Sequence, residues 1–196
     1  MGHIGTTSFF PSKNLGCFGD GGAIFTNDDD LAHRLRSMAN HGQSVKYQHD
    51  LIGLNSRLDT LQAAVLLAKL PHLHEFEKSR RRIAARYDEA FADFSDIQIP
   101  GRTVDSSHVF HQYTITCKSA EMRDGLKLHL ANHQIPSMIY YPRPLNLQTA
   151  YYQVVNLPIT EDLCNRVLSL PICPELDNEQ QEFIILNIRN FIQKSQ

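Results

Sequence analysis

Apolar and polar positions predict a strand and then a helix near the start of the chain. Residues 22–26 form a short apolar, β-prone stretch, which predicts a strand. The acids Asp28 to Asp30 follow it, and carboxylates stabilise the positive end of a helix dipole. A helix is therefore expected to begin at these acids and to stop near Gly42. Its predicted buried stripe is Leu31, Leu35 and Met38.

Two further helices are predicted on either side of Pro71, because proline ends or kinks a helix. Before it, Ser56–Asp59 has the sequence of a capping box. The following segment, residues 61–70, is apolar nearly all round, which predicts a helix buried on several sides. Beyond Pro71 the pattern predicts an amphipathic helix. Its expected water-facing residues are Glu77, Lys78 and Arg80 to Arg82, and its expected buried residues are Leu73, Phe76, Ile83, Tyr87, Phe91 and Phe94.

The remaining pattern mixes strands with helices. Residues 109–117 alternate as in a half-buried strand, and Ser119 is the expected cap of the helix after it. A second strand is predicted over residues 135–141 and a short helix over residues 161–168. The last helix would bury Phe183, Leu186, Ile188 and Phe191. This order predicts a compact α/β unit that begins at about residue 73.

Composition narrows the function classes. The apolar share of 42% suffices for a packed core, and the net charge of -2 gives no nucleic-acid signal. No apolar run approaches the roughly 20 residues of a membrane span, and the start of the chain lacks the features of a secretory signal. The four cysteines form no C-x-x-C pair, so we expect free thiols in a cytoplasmic protein. His129 and His133 are spaced for a metal, but without a third ligand an exposed helix face is the preferred interpretation.

Lys13 is the first candidate for chemistry. Phe9, Phe10 and Phe18 surround it in sequence, and an apolar environment favours the neutral, nucleophilic amine. The glycines that follow allow a backbone to approach a ligand closely, and Ser8 offers a hydroxyl to a phosphate. These features fit a Schiff-base lysine for pyridoxal phosphate and, about equally well, an ordinary solvated lysine.

The pattern Ser8-Phe-Phe-x-x-Lys13-Asn14-x-Gly16-x-x-Gly19-x-Gly21-Gly22 resembles the cofactor-lysine motif of the DegT/DnrJ/EryC1/StrS family of sugar aminotransferases. The resemblance continues through the whole chain, at His41-Gly42, Gly53 to Asp59, Gln62 to Ala64, Gln112-Tyr113, Tyr140 to Leu145, and Leu168 to Pro171 with Pro174. It implies an α/β architecture: the C-terminal part of the large domain of a fold-type I pyridoxal-phosphate enzyme, followed by the small domain. Residues 1–72 would be the remnant of the large domain and residues 73–196 the small domain.

The resemblance also implies roles for single residues. Lys13 would form the Schiff base with the cofactor and then move the proton between cofactor and substrate. Ser8 would bind the cofactor phosphate, and Asn55 would reach the phosphate of the neighbouring subunit's cofactor, so a homodimer with a shared site is expected. Arg57, one helical turn from the cap, would meet an anionic group of the substrate; a structural ion pair with Asp59 or Asp50 is an equally open interpretation.

Tyr140 and Tyr141 correspond to a loop that lines the sugar pocket in the family, although aromatics in such a place are more often core or interface residues. Asn146 stands where family members often carry histidine, which puts a histidine contact there in doubt. The implied substrates are a nucleotide-linked keto sugar and an amino donor, usually glutamate. The branch that acts on UDP-linked 3-keto sugars, such as UDP-3-keto-N-acetylglucosaminuronate, is most similar, within polysaccharide pathways such as O-antigen synthesis.

In the family, the carboxylate on the pyridine nitrogen, the aromatic over the ring and most of the phosphate cradle lie upstream of the lysine. We therefore expect the C-terminal half of such an enzyme, inactive and poorly soluble by itself. A non-catalytic remnant that binds intact relatives through the dimer surface is the alternative. A dehydratase of the same superfamily is disfavoured, since those enzymes commonly replace the lysine with histidine.

Overall fold

Residues 2–194 are described by a computed structural model, and the chain divides into two units with the boundary between His74 and Glu75. Met1 lies outside the described residues. No helix within residues 2–194 has the length and apolar character that crossing a membrane requires.

The first unit starts with an antiparallel hairpin of β1 (Gly5–Ser8) and β2 (Gly22–Phe25). Helix α1 (Asp29–Ala39) follows, and the Asp28 carboxylate accepts a hydrogen bond from the Leu31 amide at 3.0 Å. The predicted acidic cap is therefore confirmed. The helix ends at Ala39, before Gly42, and its stripe is less buried than predicted, because Met38 is exposed.

After α1 the first unit contains a small hairpin, β3 (Gln43–Val45) with β4 (Gln48–His49), and helix α2 (Thr60–Lys69). The capping-box prediction is wrong. The helix starts at Thr60, and Asp59 occupies the cap position without a side-chain hydrogen bond. Ser56 lies three residues before that cap position, and its backbone amide donates to the Ala39 carbonyl at the end of α1.

Helix α2 is also far more exposed than its sequence predicts. Leu66 is buried, but Leu61 and Leu67 are 74% and 70% exposed. A helix that is apolar nearly all round is normally covered on several sides. Within the described residues, only one side of α2 is covered.

The second unit contains most of helix α3 (Leu73–Phe91), which follows a short 3-10 turn at Leu70–His72. Its sheet has the order β5-β6-β7, all antiparallel, with Tyr113 opposite Leu170. The strands are β5 (Ile97–Gln98), β6 (Tyr113–Cys117) and β7 (Val167–Leu170). The helices around it are α4 (Ala120–Asn132), α5 (Pro158–Arg166) and α6 (Asn178–Lys194), with 3-10 turns at Leu145–Leu147 and Thr149–Tyr151. The expected mixed α/β class is confirmed.

One hydrophobic core holds the second unit together. Its fully buried members come from α3, β6, α4, β7 and α6: Ile83, Tyr87, Phe91, Tyr113, Ile115, Leu126, Leu130, Leu168, Ile188 and Ile192. In β6 the side chains alternate between buried and half-buried, which is the pattern of a strand packed on one face. The predicted cap of α4 is confirmed, because the Ser119 hydroxyl accepts from the Met122 amide at 3.2 Å.

Three elements of the second unit differ from their predictions. Residues 135–141 form no strand and pair with β7 only through Met138 and Ser169. Residues 167–170, assigned in part to a helix over 161–168, form strand β7, because a short apolar run fits either structure and pairing with β6 decides. In α6, Ile188 is buried and Phe191 is partly buried, as predicted, but Phe183 and Leu186 are exposed, and Ile184, Ile185 and Ile192 are buried in their place.

Arg80 is the clearest reversal among the polar residues. Predicted to face water, it is only 6% exposed. Its Nη1 donates to the carbonyl oxygens of Phe110, His111 and Ile172 at 3.1, 3.2 and 2.9 Å. Burial lowers the pKa of Arg80, and the three carbonyls compensate the buried charge. This arginine fastens α3 to two loops of the second unit.

His129 also departs from the predicted exposed face. It is half-buried between its own helix and α6, with its ring centroid 4.3 Å from that of His133 and 5.5 Å from that of Phe191. Among residues 2–194, nothing hydrogen-bonds its Nε2. Burial, and then the neighbouring His133, lower the pKa of His129.

Candidate active site

A closed turn carries Lys13. We call residues 9–21, which connect β1 to β2, the Lys13 turn. At its base the Phe9 amide donates to the Gly21 carbonyl at 2.7 Å, and the Cys17 amide donates to the Phe9 carbonyl at 2.8 Å. The Lys13 amide donates to the Phe10 carbonyl, also at 2.8 Å. These bonds fix the backbone on which the lysine stands.

Gly16 shows how tightly the Lys13 turn is folded. A Cβ at this position would lie 2.4 Å from the Pro11 carbonyl oxygen and 2.8 Å from that of Phe10. Both contacts are to backbone atoms, which cannot rotate away. Only glycine therefore fits here, and the segment just before Lys13 rests directly on Gly16.

The Lys13 side chain is half-buried, and no hydrogen bond or ion pair within residues 2–194 engages its ammonium. The apolar enclosure expected from the neighbouring aromatics is not formed, since Phe10 and Phe18 are 50% and 80% exposed. The amine is thus available to an incoming group without first leaving a partner.

Ser8 closes β1 immediately before the Lys13 turn. Its Oγ accepts from the Phe10 amide at 3.2 Å, so the hydroxyl proton remains free to donate to an anion. A primary amine and a hydroxyl donor on one turn are the groups that an aldehyde and a phosphate require. The chemistry of these two donors therefore fits pyridoxal phosphate.

Asn55 and Arg57 are positioned by the end of α1. The Leu54 amide donates to the Met38 carbonyl at 2.7 Å, and the Ser56 amide to the Ala39 carbonyl at 2.9 Å. These bonds satisfy carbonyls that have no partner inside the helix. The segment that carries Asn55 is consequently held against the helix end.

Arg57 lies before α2, not within its first turn as predicted. Its Nη1 donates to Asn40 Oδ1 at 2.8 Å. Within residues 2–194, no ion pair joins it to Asp50 or Asp59, so the structural interpretation is not what this fold shows. Since Asn40 is neutral, the positive charge of Arg57 remains available to an anion.

An open cleft of about 1670 Å³ separates the predicted site residues into two groups. Asn55 and Arg57 line it together with Thr6, Thr7 and Asp20. Among the described residues that line this cleft, neither Ser8 nor Lys13 is present. We call it the Asn55–Arg57 cleft; Asp20, near the end of the Lys13 turn, also lines it.

Tyr140 and Tyr141 lie in the second unit, in the segment that Met138 fastens to β7. Both are exposed, Tyr141 by 71%, and their rings meet edge to face at 5.6 Å. They are not core aromatics. Asn146 follows in the same loop, at the position where family members often carry histidine. Its Nδ2 donates to the Val155 carbonyl at 3.2 Å, a contact that fixes the loop.

The sequence missed three residues that support the Lys13 turn. Gln62 Oε1 accepts from the Phe18 amide at 2.9 Å, and Lys69 Nζ donates to the Gly16 carbonyl at 2.6 Å. The buried Cys17 thiol lies 2.9 Å from the Phe9 carbonyl oxygen. Gln62 and Lys69 are seven positions apart, which places them on one helix face, and that spacing is the signal that could have found them.

Comparison with known proteins agrees with these features. The model of the DegT/DnrJ/EryC1/StrS aminotransferase family matches residues 1–189. A UDP-N-acetyl-3-dehydro-α-D-glucosamine 3-aminotransferase from Acidithiobacillus ferrooxidans is 45% identical, over 96% of this chain and 51% of that protein. A UDP-2-acetamido-2-deoxy-3-oxo-D-glucuronate aminotransferase from Pseudomonas aeruginosa is 42% identical, over 95% of this chain and 51% of that protein.

Among solved structures, a DegT/DnrJ/EryC1/StrS aminotransferase from Brucella abortus is 47% identical and has a TM-score of 0.90, over 97% of this chain and 51% of that chain. The chain spans about half the length of the curated relatives it matches. Members of this family depend on pyridoxal phosphate, for which Lys13 and Ser8 supply fitting donors. From the turn, the family match and the solved neighbour together, the chain belongs to the DegT/DnrJ/EryC1/StrS aminotransferase family.

Proposed function

We propose that this chain is the C-terminal half of a pyridoxal-phosphate-dependent sugar aminotransferase that transfers an amino group to a nucleotide-linked keto sugar. The observation that carries the proposal is the unpaired Lys13 ammonium, presented on a closed glycine turn beside the Ser8 hydroxyl. Residues 1–72 would belong to the large domain and residues 73–196 would be the small domain.

Lys13 would do the central work. When bound, pyridoxal phosphate supplies the electron sink that makes amino transfer possible. Lys13 Nζ would hold the cofactor through its aldehyde carbon, and once released would carry a proton between the substrate carbon and the cofactor. Because no described residue competes for Nζ, the amine needs no rearrangement for either task. The Ser8 hydroxyl would donate to the cofactor phosphate.

The Asn55–Arg57 cleft would bind anionic groups of the substrate and the cofactor. Arg57, anchored by the neutral Asn40, would pair with an anionic group of the substrate. Asn55 would donate to the phosphate of a cofactor held by a second subunit. Among the described residues that line this cleft, Ser8 and Lys13 are absent, which supports such sharing in a homodimer.

For the substrate, we propose a UDP-linked 3-keto sugar, with glutamate as the amino donor. The reaction would take place in the cytoplasm, in the synthesis of a surface polysaccharide such as O-antigen. The support is the printed activity of the two relatives from A. ferrooxidans and P. aeruginosa. Tyr140 and Tyr141 would line the sugar pocket. Their exposure leaves both rings available for such contact.

The remaining cofactor contacts would come from the half of the relatives that this chain does not match. Exposed apolar residues of the first unit support this: Ile24, Phe25, Leu61 and Leu67. In a complete large domain such side chains would be covered, because an apolar surface of this kind is otherwise unfavourable in water.

Reconstitution tests the proposal. The purified chain is mixed with pyridoxal phosphate, glutamate and a UDP-3-keto sugar, with and without the N-terminal half of the A. ferrooxidans relative. We expect no turnover by the chain alone and turnover with the added half. Turnover by the chain alone would contradict the half-enzyme, and failure of the folded, assembled pair would contradict the aminotransferase.

A non-catalytic remnant that binds intact relatives is the second candidate, and the same exposed apolar residues favour it. It predicts a stable complex with a full-length relative, detected by size-exclusion chromatography, in which Lys13→Ala has no effect on any activity. A sugar dehydratase is disfavoured by the lysine at position 13.

A further inference from the structure

We propose that Gln62 and Lys69, both on α2, are positioning residues that hold the Lys13 turn in the shape that presents the Lys13 amine. The functional part of this inference rests on the proposed role of Lys13. The structural part rests on two hydrogen bonds between α2 and the turn.

Gln62 contacts the turn on the C-terminal side of Cys17. Its Oε1 accepts from the Phe18 amide at 2.9 Å. A Cβ built on Gly19 would lie only 3.0 Å from Gln62 Nε2, so the amide group packs closely against Gly19. A larger residue at position 19 would displace Gln62, so the Gln62 contact requires a glycine at this position.

Lys69 holds the side nearer to the catalytic residue. Its Nζ donates to the Gly16 carbonyl at 2.6 Å, and a charged donor makes a stronger hydrogen bond than a neutral one. Gly16 in turn packs against the backbone of Phe10 and Pro11, with no room for even a Cβ. Displacement of Gly16 would therefore be transmitted to the segment that leads into Lys13.

The two contacts lie on either side of Cys17. Seven residues of helix separate Gln62 from Lys69 by two turns, or about 10 Å, on one face. Between their contact points, the Cys17 thiol is within 2.9 Å of the Phe9 carbonyl oxygen and 3.1 Å of the Gly19 carbonyl oxygen. The turn is thus held at three consecutive residues, Gly16, Cys17 and Phe18.

Such support has a functional consequence. Eleven of the 13 residues of the turn are exposed or only half-buried, so few apolar contacts restrict their motion. A catalytic group must be held near its productive geometry by residues whose own positions are fixed. Helix α2 supplies this restraint without placing any side chain on the amine itself.

The test uses the 196-residue chain and two measurements that need no turnover. Hydrogen exchange of the peptide covering residues 9–21 reports the rigidity of the turn. Borohydride trapping of pyridoxal phosphate, with mass mapping of each modified lysine between about pH 7 and pH 9, reports the share of label on Lys13; this window lies below the ordinary lysine pKa.

Lys69→Met removes the donor and keeps the apolar stem. We expect exchange in the turn to rise about tenfold, since one hydrogen bond from a charged donor is lost, and the Lys13 share of the label to fall. Lys69→Arg should restore both readouts, because arginine offers the donor although its shape differs. A role in bulk packing would not show that rescue. The matched control is Lys78→Met, on the exposed face of α3, which should change neither readout.

Gln62 gives an independent pair of variants. Gln62→Glu keeps an oxygen for the Phe18 amide, whereas Gln62→Leu has no acceptor. We expect Gln62→Leu to behave like Lys69→Met, and Gln62→Glu to remain close to the unmodified chain. If Lys69→Met does not fold, this pair of Gln62 variants tests the positioning role instead.

Unchanged exchange and unchanged trapping in folded Lys69→Met and Gln62→Leu would overturn the positioning role. A loosened turn together with failed reconstitution of amination would leave the positioning role standing and contradict only the proposed function. The two failures are therefore distinguishable.

Discussion

The two units of this chain differ in how much apolar surface each one buries. The described core cluster lies wholly between Ile83 and Ile192, in the second unit. In the first unit the buried apolar side chains are few, Cys17 and Leu66 among them, and yet it carries Lys13, Ser8, Asn55 and Arg57. The difference teaches that the second unit folds on its own apolar burial, whereas the first unit relies on backbone hydrogen bonds around a turn and a helix end.

The largest expected effect is on activity alone. In the reconstituted enzyme, Lys13→Ala should lower turnover by at least about a thousandfold, since a positioned acid–base group contributes about 10²–10⁴ and the cofactor attachment is lost as well. The melting temperature should not change, because Lys13 contributes nothing to the core. Steady-state kinetics and calorimetry measure the two. Turnover above a tenth of the unmodified level would contradict the assignment.

A matched pair of truncations tests where the stability resides. Ile188→Ala in the core of the second unit should cost about 2–5 kcal/mol of unfolding free energy. Leu67→Ala, on the exposed side of α2, should change it by less than about 0.5 kcal/mol. Urea denaturation followed by circular dichroism measures both. Equal costs would show that the contrast between the units is wrong.

Two arginines of α3, the buried Arg80 and the exposed Arg82, allow the same comparison of buried and exposed side chains within one helix. Arg80→Met should cost about 2–4 kcal/mol, because three carbonyl oxygens lose their charged donor in a buried place. Arg82→Met removes one exposed hydrogen bond to Asn178 and should cost less than about 1 kcal/mol. A small cost at Arg80 would mean that water replaces it at those carbonyls.

The smallest expected effect is on pH dependence. Burial lowers the folded-state pKa of His129 below the unfolded value of about 6.5, so the unfolded chain binds the proton more readily. The stability from neutral His129 is present above about pH 6.5 and is lost as the pH falls through the folded-state pKa. Charged His133 and Lys194 nearby act in the same direction.

His129→Phe keeps a ring against Phe191 and should reduce the slope of unfolding free energy between about pH 7 and pH 5. Urea denaturation across this pH range measures the slope. An unchanged slope in His129→Phe would place the titrating group elsewhere.

Local chemistry explains which predictions succeeded. Asp28 and Ser119 were predicted as helix caps and both accept the expected amide hydrogen bond. A cap depends on residues within one turn, so the sequence contains all of its determinants. The Lys13 motif is also local, and its glycine at position 16 is required by contacts only a few residues away.

The failures share a different cause. Ser56 has the sequence of a cap, but α2 begins only at Thr60, and the Ser56 segment is instead hydrogen-bonded to the end of α1, seventeen residues away in the chain. Residues 167–170 became a strand because β6 was available for pairing. Arg80 was buried because two distant loops bring three carbonyl oxygens to it. In each case a long-range partner outweighed a local preference.

The sequence by itself therefore determined the chemistry that this chain can present: a lysine and a serine on a glycine turn, in the family of sugar aminotransferases. Only the tertiary structure decided that Gln62 and Lys69 hold that turn, that Asn40 anchors Arg57, and which face of α6 is buried. The physical reason is range. Motifs and caps depend on neighbours in the chain, whereas positioning depends on side chains that meet only after helices and strands have packed.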